Sequence, residues 1–485
     1  MSLGSATDVP QESRLLGWLV LALATVVAVV SAQPHAGSWQ DGSRLAMVEA
    51  LVDYHTWAID ESIFVAVPAL GEGQSPYPAD QPILQLGTQD KLFIDGHFYS
   101  DKPVAALLLA GVYQVWKWCG GETARLRPDR FCWLMALAGA GVPYVLAVWC
   151  IYRMEEMLRL AVTLRLALTA SFALATIALP YTRQVNVHIM LLAALAAITL
   201  GVIRLRQASL AGTTPWLWLA GMGSLAGLAY TLDIGAGPPL VVGLLALVAF
   251  RCRRLGPVAV TALAALPWIV LHQAINYAIG GTFRPINSVP EFSAWPGCPF
   301  EPQDLTGTWK HSLGSFLVYA AALLAGKRGF LLHNLPLLLA VPAVVVLLRR
   351  RPAVRPELLF LGSWCAAVWL MYAALSSNSS GVCCSIRWFV PFLAPAFYVL
   401  SLLLREWPEY RGDFLVLSAW GTVFGGLMWW AGPWMGHMVP LYWPIVGAAL
   451  LSWWAVRRWS KRRGNAPTLA PPHSGDWDSE ARPAA

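Results

Sequence analysis

The sequence predicts an all-α polytopic membrane protein, with about twelve transmembrane helices and juxtamembrane helices in the first outer loop. Three observations carry this. Only 13% of the 485 residues are charged and 57% are hydrophobic, whereas a soluble domain carries about 25% charged residues. Tryptophan, whose ring favours the headgroup level of a bilayer, occurs 25 times. Arginines gather in short clusters between apolar runs, as they do in cytoplasmic loops. The net charge of +7 is therefore a topology signal. No basic stripe interleaved with aromatics supports nucleic-acid binding.

Residues 1–14 form a cytoplasmic N-terminus and residues 15–32, LLGWLVLALATVVAVVSA, the first transmembrane helix. At 1.5 Å per residue this run just crosses a hydrocarbon core of about 30 Å. Val30-Ser31-Ala32 resembles a signal-peptide cleavage site, but Asp8 and Glu12 before a lone Arg14 make a poor n-region. The expectation is a retained anchor.

Residues 33–130 are the longest polar stretch and are expected to form an extracytoplasmic loop. Apolar residues at helical spacing over 43–58 predict a surface helix. KLFIDGHFY, centred on Asp95-Gly96, predicts a hairpin. Residues 104–118 are apolar enough to span but are read as interfacial, because a span there would invert every later arginine cluster. Transmembrane helices follow over 131–278 and 330–456, separated by an extracytoplasmic loop with an interfacial helix at 279–329. Residues 457–485 form a Pro-rich cytoplasmic tail expected to be disordered. Both termini then face the cytoplasm and any chemistry is extracytoplasmic.

Candidate chemistry lies at outer turns, and each residue also has a plain structural reading. Asp41, close to the first span, suits a general base or a helix N-cap. Arg44 and Glu49 read as a surface pair, and Asp90-Lys91 as a local one. Lys102, where the chain re-enters the interface, suits a lipid phosphate or a snorkelling lysine. His97 and Tyr99 suit orientation of a sugar or phosphate, or an ordinary interface. Asn186 and His188, in LPYTRQVNVHIM, sit where polar side chains should face a cavity. Arg387 follows NSSGVCCSI and suits a second phosphate clamp, with Lys327-Arg328 a third basic point. Asp233 reads as a cap. Trp295, Phe300 and Trp309 offer stacking surfaces for a sugar or lipid. Cys298 is placed to pair with Cys383 or Cys384 outside the membrane, although sequence does not fix pairing. No metal spacing, P-loop or dinucleotide fingerprint occurs.

Asp41-Gly42-Ser43-Arg44, followed by a surface helix and then Tyr99-Ser100-Asp101-Lys102-Pro103, resembles the GT-C superfamily of membrane glycosyltransferases. Within it the pattern is similar to the branch of protein O-mannosyltransferases and bacterial lipid A aminoarabinose transferases. The resemblance implies a multi-pass enzyme of the bacterial plasma membrane, acting on the cell envelope. It would move a hexose or pentose from a polyprenyl-phosphate donor among the membrane lipids to a glycan, lipid or protein acceptor, with inversion. It implies Asp41 as catalytic base and Lys102, with Arg387, at the donor phosphate. Arg44, His97, Tyr99, Asn186 and His188 would contact substrate. No cofactor is required, and a divalent metal has no support in the residues. Lys102-Pro103-Val104 departs from the usual K-P-P, and no second acidic residue follows Asp41, which leaves a helper role open for Asp60 or Asp95. The alternative is a lipid-linked sugar flippase or secondary transporter, but the spans carry few central charges and no repeat is evident.

Overall fold

The computed structural model describes residues 11–462 apart from 70, 302–303 and 308–309. The ends of the expected N-terminus and tail, residues 1–10 and 463–485, and Trp309 lie outside the described residues.

Within them the chain is a helical membrane protein. Helix α1 (Gln11–Ser31) leads into the outer segment, which holds α2 (Trp39–Glu49), the hairpin β1 (Lys91–Ile94) and β2 (His97–Ser100), and α3 (Pro103–Trp118). There follow α4 (Pro128–Ala136), α5 (Val142–Met157), α6 (Val162–Leu174), α7 (Val187–Leu210), α8 (Trp216–Leu232), α9 (Gly237–Cys252) and α10 (Leu255–Gly280). The remainder comprises α11 (Leu313–Ala325), α12 (Ala340–Arg350), α13 (Arg355–Leu375), α14 (Leu393–Glu406), α15 (Arg411–Ala431) and α16 (Tyr442–Arg462). Among the described residues, six helical stretches are long and apolar enough to cross a membrane; α4 and α5 form one of them through a π turn over Leu137–Gly141.

The bundle is organised around α7 and α14, whose apolar windows are 78% and 89% buried inside the protein. By contrast α10 is a peripheral helix with 17% of its window buried. It is held by a close seam with α8. Gly223 and Gly227, four residues apart on one face of α8, meet the backbone of Thr261 and Ala265. A Cβ there would lie 2.2 Å and 2.4 Å from those carbonyl oxygens. Small residues at this spacing let two membrane helices approach backbone to backbone.

Ion pairs mark one face of the bundle. Arg251 at the end of α9 donates Nε and Nη2 to the two carboxylate oxygens of Glu357 on α13, at 2.8 and 2.7 Å. Arg457 of α16 meets Asp413 of α15 at 3.1 Å, and Arg351 pairs with Glu406 at the end of α14. The expected arginine clusters therefore brace helix ends across the bundle. The outer segment lies at the other ends of these helices.

Three local expectations change. The surface helix starts at Trp39 rather than 43 because Ser38 caps it, and it ends at His55, whose φ of 56° is left-handed. In the region expected to span over 330–348, α12 begins only at Ala340. Pro336 lacks an N–H, and Asn334 Oδ1 accepts from Ile177 N instead of leaving its segment free to coil. The anticipated outer disulfide does not form: Cys298, Cys383 and Cys384 are all thiols. The Cys383 thiol is buried and donates to Ser385 O at 2.6 Å, so it is turned into its own loop.

Glu357 has a 1% exposed side chain, so Arg251→Leu would strand a buried carboxylate. Losing one partner of such a pair typically costs about 3–5 kcal/mol. Thermal unfolding in detergent should show Arg251→Leu clearly below wild type in midpoint; an unchanged midpoint would show that the pair is structurally idle.

Candidate active site

Each residue of Asp41-Gly42-Ser43-Arg44 has a distinct task. Ser38 is the N-cap of α2, and Asp41, three residues on, reaches back: Ser38 Oγ donates to Oδ1 at 2.5 Å and Gly37 N to Oδ2 at 2.8 Å. In return Ser38 Oγ accepts from Asp41 N at 3.3 Å, which completes a capping box. Asp41 is thus neither the cap itself nor exposed; its residue is 0% accessible. Burial pushes its carboxyl up to about 6, against the pull of the Ser38 and Gly37 hydrogen bonds. Gly42 admits the Tyr77 hydroxyl, which would lie 2.2 Å from a Cβ. The buried Ser43 hydroxyl meets that of Ser100 at 2.9 Å. Arg44, 3% exposed, donates Nη1 to Gln40 O, while its Nε has no partner.

The hairpin is clamped onto α2 from both strands. Ser100 holds β2 through Ser43, and Thr88 Oγ1 donates to Trp39 O at 2.5 Å just before β1. Asp95 and Gly96 take the turn with φ of 51° and 89°. The ladder ends on the pair Lys91–Ser100. Asp90 and Asp101 are therefore opposite each other at the open end, where facing side chains come within about 5 Å. Burial and the neighbouring Asp101 push the Asp90 carboxyl up to about 7, while Arg44, Arg387 and Lys102 pull it down. Asp90 Oδ2 and Asp101 Oδ1 have no hydrogen-bond partner. Lys102 Nζ lies 3.6 Å from Asp101 Oδ2, and Lys102 itself opens α3, which packs along α2.

Arg387 comes to this cluster from nearly three hundred residues away in sequence, from a loop held by Arg328. That arginine donates to Gly381 O at 2.9 Å and Gly436 O at 2.7 Å, so it is a brace. Ser380 Oγ accepts from Arg387 N at 3.1 Å, and Trp388 stacks on Tyr372 with ring centres 4.1 Å apart. Beside it His188 Nδ1 lies 3.6 Å from Asp233 Oδ2. Asp233 closes α8 by accepting from Gly235 N at 2.8 Å, and it also accepts from the Tyr372 hydroxyl. The start of α7 and the end of α8 thus share one polar knot. Arg44, Lys102, Arg387 and His188 are brought within electrostatic reach of one another.

Of the other candidates Asn186 adjoins this cluster, and His97 and Asp95 lie at the far end of the hairpin. Asn186 caps α7 by accepting from His188 N at 2.8 Å. His97 lies at the hairpin turn, exposed, with Nδ1 3.3 Å from Asp60. Tyr99 is half-buried in β2 opposite Leu92. Asp95 occupies the turn itself.

Two expected pairs are absent. Lys91 lies over the Phe98 and Trp295 rings, at 4.3 and 5.1 Å, instead of pairing with Asp90. Glu49 does not pair with Arg44: it accepts from Ser62 Oγ at 2.6 Å and Ile63 N at 3.0 Å, and burial pushes its carboxyl up to about 7. Asp90 and Asp101 are the site residues that sequence reasoning passed over. The signal was present, since extending the predicted hairpin one step beyond Lys91 and Ser100 pairs them. Among the described residues no group of three or more His, Cys, Asp or Glu could hold a metal ion.

The sequence matches no family model and no curated protein. Solved structures do match. ArnT from Cupriavidus metallidurans bound to undecaprenyl phosphate aligns with 93% of this chain and 73% of its own, at 15% identity and a TM-score of 0.50. Its apo state gives the same values. The Archaeoglobus fulgidus oligosaccharyltransferase in its apo form aligns with 96% of this chain and 57% of its own, at 10% identity and a TM-score of 0.43. With its helical membrane bundle and a long helix-bearing loop after α1, the chain has the GT-C fold.

Proposed function

We propose that the protein is a membrane glycosyltransferase that moves a sugar from a polyprenyl-phosphate donor to an extracytoplasmic lipid, glycan or protein acceptor. The observation that carries this reading is that Arg44, Lys102 and Arg387 all lie within electrostatic reach of Asp90, beside Asp101. A positive surplus at the start of α3, beside the membrane, suits a lipid phosphate. The GT-C fold, shared with a protein whose structure holds undecaprenyl phosphate, supports the same reading.

In this mechanism an acceptor hydroxyl or amine attacks the anomeric carbon on the face opposite the phosphate. The carbon–oxygen bond to phosphate breaks, its electron pair leaves with polyprenyl phosphate, and configuration inverts. Lys102 and its two arginine neighbours stabilise charge that grows on the leaving oxygen, so they act most strongly in the transition state. Asp41 takes the acceptor's proton. Its two oxygens each accept one hydrogen bond from the cap, which leaves lone pairs for that proton and aims the carboxylate. A second reading gives the proton to Asp90, because its unpartnered Oδ2 already faces the cation cluster.

Lys102→Ala should weaken binding of undecaprenyl phosphate to the protein in nanodiscs by about 10–100-fold, the worth of a charge-assisted contact. Equal affinity for wild type and variant would remove Lys102 from the phosphate site. Asp41→Asn should lower turnover by about 10²–10⁴-fold with that binding retained. If Asp90→Asn alone does so, the base is Asp90.

A third outcome concerns pH. A base at about 6 must lose its proton to work, so the rate should rise through that pH and flatten above it. A profile that falls over the same range contradicts the assignment.

A further inference from the structure

Beside Lys102 the outer segment and the bundle border a partly open cleft. Its lining includes Asp101 and Lys102, Thr231 of α8, and His272 and Asn276 of α10. His272 and Asn276 are four residues apart, so they share one face of the helix. Neither ring nitrogen of His272 has a hydrogen-bond partner, nor does Asn276 Nδ2, although Asn276 is only 3% exposed. Gln273 is anchored by its Nε2, which donates to the Tyr230 hydroxyl at 3.0 Å. The Tyr230 ring meets the His272 ring edge-on at 5.4 Å and steadies it.

This pair has no structural account. An unmatched buried polar group is costly, and α10 is a largely apolar helix at the edge of the bundle. Polar side chains on such a helix are retained where they meet a cavity and its contents. An imidazole and a carboxamide each offer both a donor and an acceptor, and Asp101 Oδ1 in the same lining adds an unpartnered acceptor. Mixed donors and acceptors suit hydroxyl groups. A lipid chain would leave them unsatisfied, and a second anion would face Asp101.

We infer that His272 and Asn276 bind the sugar ring of the donor whose phosphate Lys102 holds, and so select which sugar is transferred. The inference rests on the donor reading above. The test uses full-length protein in nanodiscs, with bare undecaprenyl phosphate and with undecaprenyl phosphate carrying single hexoses or pentoses. Wild type should bind at least one sugar-bearing lipid about tenfold more tightly than the bare one. His272→Ala and Asn276→Ala should collapse that ratio towards one and keep bare-lipid affinity within about twofold, whereas Lys102→Ala weakens both ligands. His272→Gln, which keeps a donor and an acceptor, should recover part of the ratio and guards against mere misfolding. The inference fails if both alanine variants keep the wild-type ratio, or if wild type distinguishes no sugar from the bare lipid. Failure of wild type to bind undecaprenyl phosphate at all would instead remove the donor reading beneath it.

Discussion

The contact between the Ser43 and Ser100 hydroxyls is the joint on which the outer segment depends. Both residues are fully buried, so each hydroxyl must find a partner inside the protein, and each finds the other. With Thr88 bound to Trp39 on the neighbouring strand, the hairpin has one register against α2. That register decides which side chains emerge at its open end. A slip by one residue would turn Asp90 and Asp101 to the opposite face and carry Lys102 away from Arg44. The short sequence Asp-Gly-Ser-Arg is therefore as much a fitting for the hairpin as a store of reactive groups.

The electrostatics of the cluster follow from that fitting. Carboxylates at facing half-buried positions repel, and Asp90 is pushed up to about 7, where it can give or take a proton near neutrality. Arg387 adds charge from a loop whose own shape needs Ser379, Ser380 and Gly381 at φ of 50°, 66° and 79°. Strained backbone of this kind persists where surrounding contacts fix it. Arg328, the Cys383 thiol and Ser380 supply those contacts.

The helical membrane class was legible because composition reports directly on the bilayer. The hairpin was legible through Asp95-Gly96, whose turn joins β1 and β2. Other features depended on geometry. Ser38 was not recognisable as a cap, so Asp41 was read one turn too early in its helix. Asp90 was matched with Lys91 because they are neighbours in sequence, yet successive residues of a strand point to opposite faces. Arg387 meets Arg44 only through tertiary folding. His272 and Asn276 lay inside a predicted span, where only the orientation of α10 distinguishes a cavity wall from a lipid face.

The glycine seam between α8 and α10 has a mechanical meaning. Its contacts at Thr261 and Ala265 grip the lower half of α10 backbone to backbone, and just above them Pro267 removes a helix hydrogen bond. The helix is thus fixed below and weakened at one point. His272 and Asn276 ride on the arm beyond that point. Beyond it Trp268 Nε1 donates to Ser224 Oγ at 2.9 Å and Gln273 Nε2 to the Tyr230 hydroxyl at 3.0 Å, so side-chain bonds take over where the backbone seam ends and His272 and Asn276 keep one position against α8.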